Sequence, residues 1–361
     1  MKKCLQIAAA TLALTTTAFA QGRSVNVYNW SDYIDPGVLD DFTRETGIRV
    51  VYDTYDSNET LETKLLAGKT GYDIVVPSAT FLQRQIQIGV YQKLDKSKLP
   101  NLANLNADIT GRLAVYDPGN LYSVNYMWFT TGIAFNVAKA KARIGDKSPD
   151  SWDLVYKPEN LRKFADCGVY FLDSPEDIFS TALRSIGVNP DSKNPADIRK
   201  AADTIIRVKP SVKKFHSSEY INALASGDIC LAVGWAGDSF QARNRAQEAR
   251  NGVEIDYVIP KEGTLISLDN LAIPKDAERV AEAHALIDYL LRPEVAARNS
   301  KVTNFANPVD ASKKFLPPEI VANKSIYPDD AVMKRIFTVS AKDQATQKVI
   351  TREWTRVKTG R

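Results

Sequence analysis

A two-lobed α/β fold, with a chain that crosses between the lobes more than once, is the architecture this sequence predicts. Three observations carry that expectation. The first third alternates apolar β-branched runs with helices of about ten residues, the pattern of parallel βαβ units. A second strand-and-helix pattern occupies about 133–256. Between the two lies no low-complexity tether and no internal repeat, and Pro and Gly are scattered, so the lobes are not beads on a floppy linker. The 361 residues, even without a leader, are enough for two domains.

The elements follow in order. "VNVYNW" reads as a buried first strand, followed by Asp35-Pro36, an N-cap with proline at the first helical position, and a helix ending at Gly47. "IRVVYDTY" is the second strand. A helix after Ser57-Asn58 ends at Gly68, and "YDIVVPSA" is a third strand running into the helix "TFLQRQIQIGV". In the middle, "GVYFLDSPED", "IRKAADTIIRV" and "DICLAVGWAGDSF" are the clearest pieces. "GVEIDYVIPKEGTLISLDNLAIP" reads as extended chain, and "AERVAEAHALIDYLLRPEVAARNS" as one amphipathic helix with a proline interruption.

The bulk numbers exclude several classes. Residues 1–20 read as a secretory leader: a Met-Lys-Lys start, an apolar run too short to span a bilayer, and Ala18-Phe19-Ala20 ahead of Gln21, with cleavage expected after Ala20. Gln21, where a lipid-anchored chain would have cysteine, implies a protein free in its compartment. The formal charge of +4, lowered by two when Lys2 and Lys3 leave, is too small and too evenly spread to suggest nucleic acid or an anionic membrane. Cys4 leaves with the leader, so Cys167 and Cys230 remain, either as one disulfide or as two buried thiols.

In open parallel sheets ligands bind beyond the carboxyl ends of strands, so the strand ends are where function is sought. Trp30-Ser31-Asp32-Tyr33 ends the first strand and Ser78-Ala79-Thr80-Phe81 the third. Asp173 is followed by Ser174-Pro175-Glu176-Asp177, and Trp235-Ala236-Gly237-Asp238 ends "ICLAVGW". Asp269 stands among the apolar residues of "ISLDNLAIP", where an unpaired carboxylate is costly. The recurring theme is an aromatic beside a carboxylate. Carboxylates accept hydrogen bonds from ammonium groups. Aromatic faces attract cations and cover methylene chains. A cation joined by hydrocarbon fits both. Structural readings stand beside this one: Asp238 capping the following helix with Gln241 completing a capping box, Glu176 serving the helix dipole, and each tryptophan as core.

On these residues the chain resembles a known family. "NVYNWSDYI", "YDIVVPSATFL", "LDSPEDIF", "VGWAGD" and "LDNLAIP" are similar, in order and spacing, to the periplasmic polyamine-binding proteins of bacterial ABC transporters. The resemblance implies the two-lobed periplasmic binding protein fold, each lobe a mixed central sheet flanked by helices, joined by crossing hinge strands, with lobes at 24–133 plus 259–304 and at 134–258 plus 305–361. It implies that Trp30 and Trp235 wall the methylene chain, that Asp32, Glu176, Asp238 and Asp269 meet the ammonium groups, and that Ser31, Tyr33, Ser78, Thr80 and Phe81 complete the first lobe's face. It also supports a Cys167–Cys230 bridge. Two positions depart from the family pattern: Ser267 where a Phe or Trp is usual, and Phe305 where a Tyr is usual. Both belong to the expected site, and Ser267 should enlarge the cleft, so spermidine or a guanidino amine such as agmatine stands beside putrescine as ligand.

The expectation is a monomeric periplasmic solute-binding protein, not an enzyme, that delivers its amine to a membrane permease, with no cofactor, no metal and no nucleic-acid partner. Two alternatives remain: a polyamine-sensing partner of a membrane receptor, and an exported hydrolase using Asp238 and Asp269 as acid and base. Against catalysis, there is no G-x-S-x-G, the first strand lacks a glycine-rich turn, and His216 and His284 lack metal-ligand spacing.

Overall fold

The computed structural model describes residues 22–360; the expected leader, residues 1–20, lies outside the described residues. Among the described residues nine strands form the framework: β1 (Ser24–Trp30), β2 (Arg49–Tyr55), β3 (Ile74–Val75), β4 (Ser123–Asn136), β5 (Val169–Phe171), β6 (Lys214–Phe215), β7 (Leu231–Trp235), β8 (Ile255–Val258) and β9 (Ile266–Ala272). They lie in the order β2-β1-β3-β9-β4-β7-β5-β6, with β8 also on β4.

The N-terminal βαβ units form as expected. Asp35 caps the helix Pro36–Thr46 by accepting from Gly37 N–H, and Gly47 ends it in the left-handed region. Ser57 caps Asn58–Ala67 in the same way. With the helices returning each chain end to the sheet, β1 pairs in parallel with both β2 and β3. The third strand is shorter than its sequence suggests, paired only at Ile74–Val75. The stretch expected to be one helix is two, Val280–Leu290 and Pro293–Thr303. Proline has no N–H to continue the first helix, but fits the first position of the second.

β4 joins the two halves. All fourteen of its residues are buried. Its first part, Ser123 to Thr130, pairs antiparallel with β9, and its last, from Thr131 onward, with β7 and β8. β9 and β3 pair antiparallel and β5 and β7 parallel, so both sheets are mixed. Two further strands of chain cross near β4: 259–265, between β8 and β9, and the segment around Phe337, which bridges Leu265 in parallel. Phe42, Ile48, Leu286 and Ile287 are fully buried under the first sheet, and Trp152, Phe164, Phe171 and Tyr220 under the second. Cys167 and Cys230, 63 positions apart in the sequence, form a disulfide with Cα atoms 5.6 Å apart. Closing a loop of that length is worth about 4 kcal/mol of unfolded-chain entropy. Among the described residues no helix is long and apolar enough to cross a membrane.

Candidate functional site

Between the two sheets lies a cavity of about 110 Å³. The strand-end residues reach it because each strand stops where a helix begins. β1 ends at Trp30, and Ser31 is tied back to β2 by its N–H to the Tyr55 carbonyl, 3.1 Å. β7 ends at Trp235, which is itself the N-cap of the helix Ala236–Ala249. Asp238 therefore sits inside the first turn and does not cap it, which removes the capping alternative.

Aromatic rings form the walls. Trp30 and Trp235 meet edge to face with centroids 6.0 Å apart, and Phe129 stands 5.9 Å from Trp235. Phe305 packs on Phe129 at 5.0 Å and on Tyr33 at 4.8 Å. Two glycines make this packing possible: a Cβ on Gly237 would lie 2.3 Å from the Phe305 ring, and one on Gly234 would lie 2.6 Å from the Tyr220 ring. Trp30 is fixed by its indole N–H to the Val76 carbonyl, 2.9 Å, and Trp235 by its own to Asp177 Oδ1, 3.2 Å.

Four carboxylates face this box. Asp269, 2 % exposed, accepts from Ser78 Oγ at 2.6 Å. The Tyr33 hydroxyl is directed at the same carboxylate but lies outside hydrogen-bond geometry, so it is buried without a partner. Asp238, 7 % exposed, accepts from the Tyr220 hydroxyl at 2.9 Å, which in turn accepts from Trp235 N–H. Half-buried Glu176 accepts from Thr80 Oγ1, 3.1 Å, across the gap between the sheets. Asp177 accepts from Ser174 Oγ, Thr131 Oγ1 and the Trp235 indole.

Their electrostatics agree. Burial pushes the Asp269 and Asp238 carboxyls up to about 7. Burial first, and then the neighbouring charge of Asp177, pushes Glu176 up to about 8. Burial also raises Asp177, against its three hydrogen-bond donors. None of the four has an ion-pair partner among the described residues. The two cationic side chains in the wall are engaged elsewhere, Arg84 with Glu62 at 2.7 Å and Lys342 with Asp191. Carboxylates held out of water without a cation are unstable as anions. A cation entering here would restore their charge, and the rings would cover its apolar part.

Of the expected site residues, Trp30, Ser31, Tyr33, Ser78, Thr80, Phe81, Glu176, Trp235, Asp238, Ser267, Asp269 and Phe305 all line the cavity. Asp32 does not. Its backbone takes a left-handed turn, φ 55°, and its exposed carboxylate pairs with Arg245 at 2.9 Å. Sequence reasoning left out Asp177, Phe129 and Tyr220. Asp177 adjoins Glu176 and was open to the same argument; Tyr220 lies in an apolar helical pattern, Glu219–Ala225, that reads as core. The histidines are structural: His284 Nε2 accepts from Asp95 N–H, and His216 Nδ1 from the N–H groups of Ser218 and Glu219.

A family profile described as bacterial extracellular solute-binding protein matches residues 37–328. The chain is 50 % identical over 357 residues to the putrescine-binding periplasmic protein SpuD of Pseudomonas aeruginosa, covering 98 % of this chain and 97 % of that protein. It is 42 % identical over 345 residues to a putrescine/agmatine-binding protein of Pseudomonas aeruginosa, covering 95 % and 94 %. Its fold superimposes on a putative spermidine/putrescine ABC transporter structure from Listeria monocytogenes with a TM-score of 0.84 and 31 % identity, covering 94 % of this chain and all of that one. A two-lobed architecture, a ligand-sized cavity between its sheets and these matches agree: the chain belongs to the bacterial extracellular solute-binding proteins.

Proposed function

We propose that this protein is a periplasmic solute-binding protein that captures a polyamine or related dication between its lobes and delivers it to the permease of an ABC transporter. One observation carries the reading: Asp238, Asp269, Glu176 and Asp177, each raised above its ordinary range and none in an ion pair among the described residues, line one aromatic-walled cavity. Asp238, Asp269, Glu176 and Asp177 take the ammonium groups, Trp30 and Trp235 flank the methylene chain, and Tyr33 offers its free hydroxyl. The chain binds without turning over its ligand, and the leader at residues 1–20 carries it across the inner membrane.

The moving units in this reading are 24–133 with 259–304, and 134–258 with the C-terminal helix Gln344–Thr359. The third crossing falls beyond 304. Asn307 bonds to Ser300 and Val309 bridges Leu105, which supports keeping that stretch with the first unit. Gln241 to the Thr303 carbonyl, 3.1 Å, and Arg245 to Asp32 join the two proposed units, which suits a closed arrangement of the lobes.

Titration calorimetry of the ligand-stripped protein with putrescine, cadaverine, agmatine, spermidine, a sugar and an amino acid is the direct test. One-to-one binding confined to the amines is expected; heat from the sugar alone, or release of a new product, would defeat the reading. Ser267 stands opposite Phe129 in the β4–β9 register, so a ring at 267 would lie beside Phe129 and narrow the cavity. Ser267→Phe is therefore expected to move the preference toward the slimmer diamines by about tenfold relative to agmatine and spermidine, the scale of a lost or gained hydrophobic contact. An unchanged rank order would show that position 267 does not set ligand size.

A further inference from the structure

Lys342 puts a positive charge in the wall of a cavity lined by carboxylates. Its side chain is 13 % exposed, too little for water alone to stabilise the ammonium. Among the described residues its ion pair is with Asp191, in the loop between the helices Pro175–Ser185 and Pro195–Val208. The ammonium donates to Asp191 Oδ1 and, at 3.3 Å, to the Asp191 carbonyl. Asp191 is aimed in turn by Ser340, whose N–H reaches Oδ1 at 2.8 Å and whose hydroxyl reaches Oδ2 at 2.8 Å. The chain on either side of Ser340 is fixed independently. The Tyr116 hydroxyl donates to the Val339 carbonyl, 2.7 Å, and Ala341 N–H donates to Gln83 Oε1, 3.2 Å. With that backbone held, the freedom left at Lys342 is which carboxylate its flexible four-carbon stem serves.

The other carboxylate within its influence is Glu176, which lines the same cavity and accepts from Thr80 Oγ1. The charged groups acting on Glu176 are Asp177 beside it, Lys342, and Glu59 at the start of the helix Asn58–Ala67. Burial and then Asp177 push its carboxyl up, and Lys342 works against them. An ammonium from the protein that reached Glu176 would pair with it and take the place of a ligand's ammonium. We propose that Asp191 is a positioning residue: by binding the Lys342 ammonium it keeps that internal cation off Glu176 and leaves the carboxylate open to an amine, a role that rests on the amine-binding reading above. Without the charge of Asp191, Lys342 is a half-buried cation lacking its partner, and the protein carries its own competitor for the site.

Asp191→Asn tests this, because it removes the charge and keeps an oxygen for the Ser340 N–H. Calorimetric titration of the full exported chain with putrescine is expected to show at least tenfold weaker binding in Asp191→Asn. The double variant Asp191→Asn/Lys342→Met is expected to return to within threefold of the parent, since the competing ammonium is gone. A purely structural Asp191 gives no such rescue, because the double variant lacks both halves of the contact. A second readout needs no ligand. Carboxylate NMR of the ligand-free protein should find the Glu176 titration, at about 8 in the parent, at least one pH unit lower in Asp191→Asn and restored in the double variant. Putrescine affinity of Asp191→Asn within threefold of the parent overturns the proposal. So does a double variant as weak as the single one, or a Glu176 midpoint that Asp191→Asn leaves unmoved. A parent protein that binds no amine would defeat the amine-binding reading instead, and the Glu176 midpoints would still decide whether Asp191 restrains Lys342.

Discussion

Asp269→Asn is expected to weaken putrescine binding by roughly 30- to several-thousand-fold, because removing one partner of a buried, hydrogen-bonded charge pair costs about 2–5 kcal/mol. The substitution keeps the shape and keeps an oxygen for Ser78 Oγ, and its new NH2 can donate to the unpartnered Tyr33 hydroxyl. The ligand-free protein should therefore melt no lower than the parent, and higher at pH 8, where the parent must bury an anion that burial opposes. Calorimetric titration with scanning calorimetry at pH 8 separates the two effects. Affinity within threefold of the parent would take Asp269 out of the binding machinery. A collapse of the ligand-free melting point would make it structural.

Acidification should be nearly as damaging. A carboxyl whose folded value is about 7 is ionised in about one molecule in thirty at pH 5.5. Aliphatic amines stay protonated throughout this range. With Asp238 and Asp269 both required as anions, affinity is expected to fall by up to about a thousandfold from pH 8 to pH 5.5, with protons released on binding at neutral pH. Stability runs the other way in the ligand-free protein. Asp238, Asp269 and Glu176 hold their protons to higher pH when folded than when unfolded. Their contribution is thus complete below about pH 4 and is lost as pH rises through 7 to 8. A bound dication reverses the sign by stabilising the anions. Melting curves at pH 5.5 and 8, with and without putrescine, should show a much larger ligand-induced shift at pH 8. Equal shifts at both values would mean the cavity carboxylates are not the ligand's partners.

Asp32 has a different part from the one its neighbours suggest. Trp30, Ser31 and Tyr33 line the cavity, while the left-handed turn at Asp32 sends its carboxylate to Arg245 on the helix Ala236–Ala249. The pair joins groups 213 residues apart and is exposed enough that its own contribution is modest.

Much of this protein is local, and what is local was legible. Asp35-Pro36 and Gly47, and Ser57 and Gly68, fix helix ends through side-chain caps and left-handed glycines, interactions spanning a few residues. Where strand gives way to helix, Trp30 and Trp235 stand at the ends of β1 and β7 and Ser78 just beyond β3. The aromatic-and-acid pattern then follows from residue type alone. Long-range pairing was not legible. The run "SVNYMWFTTGIAFN" is apolar on both faces, so its periodicity does not distinguish strand from helix, and only its partners β9, β7 and β8 make it the strand that joins both sheets. The proline in the 280–303 stretch divided it because the backbone N–H it lacks was needed for continuation. Asp32 turned outward and Tyr220 reached Asp238 for one reason. Each depends on which face and which register the tertiary fold selects, and a shift of one residue along a strand exchanges those faces.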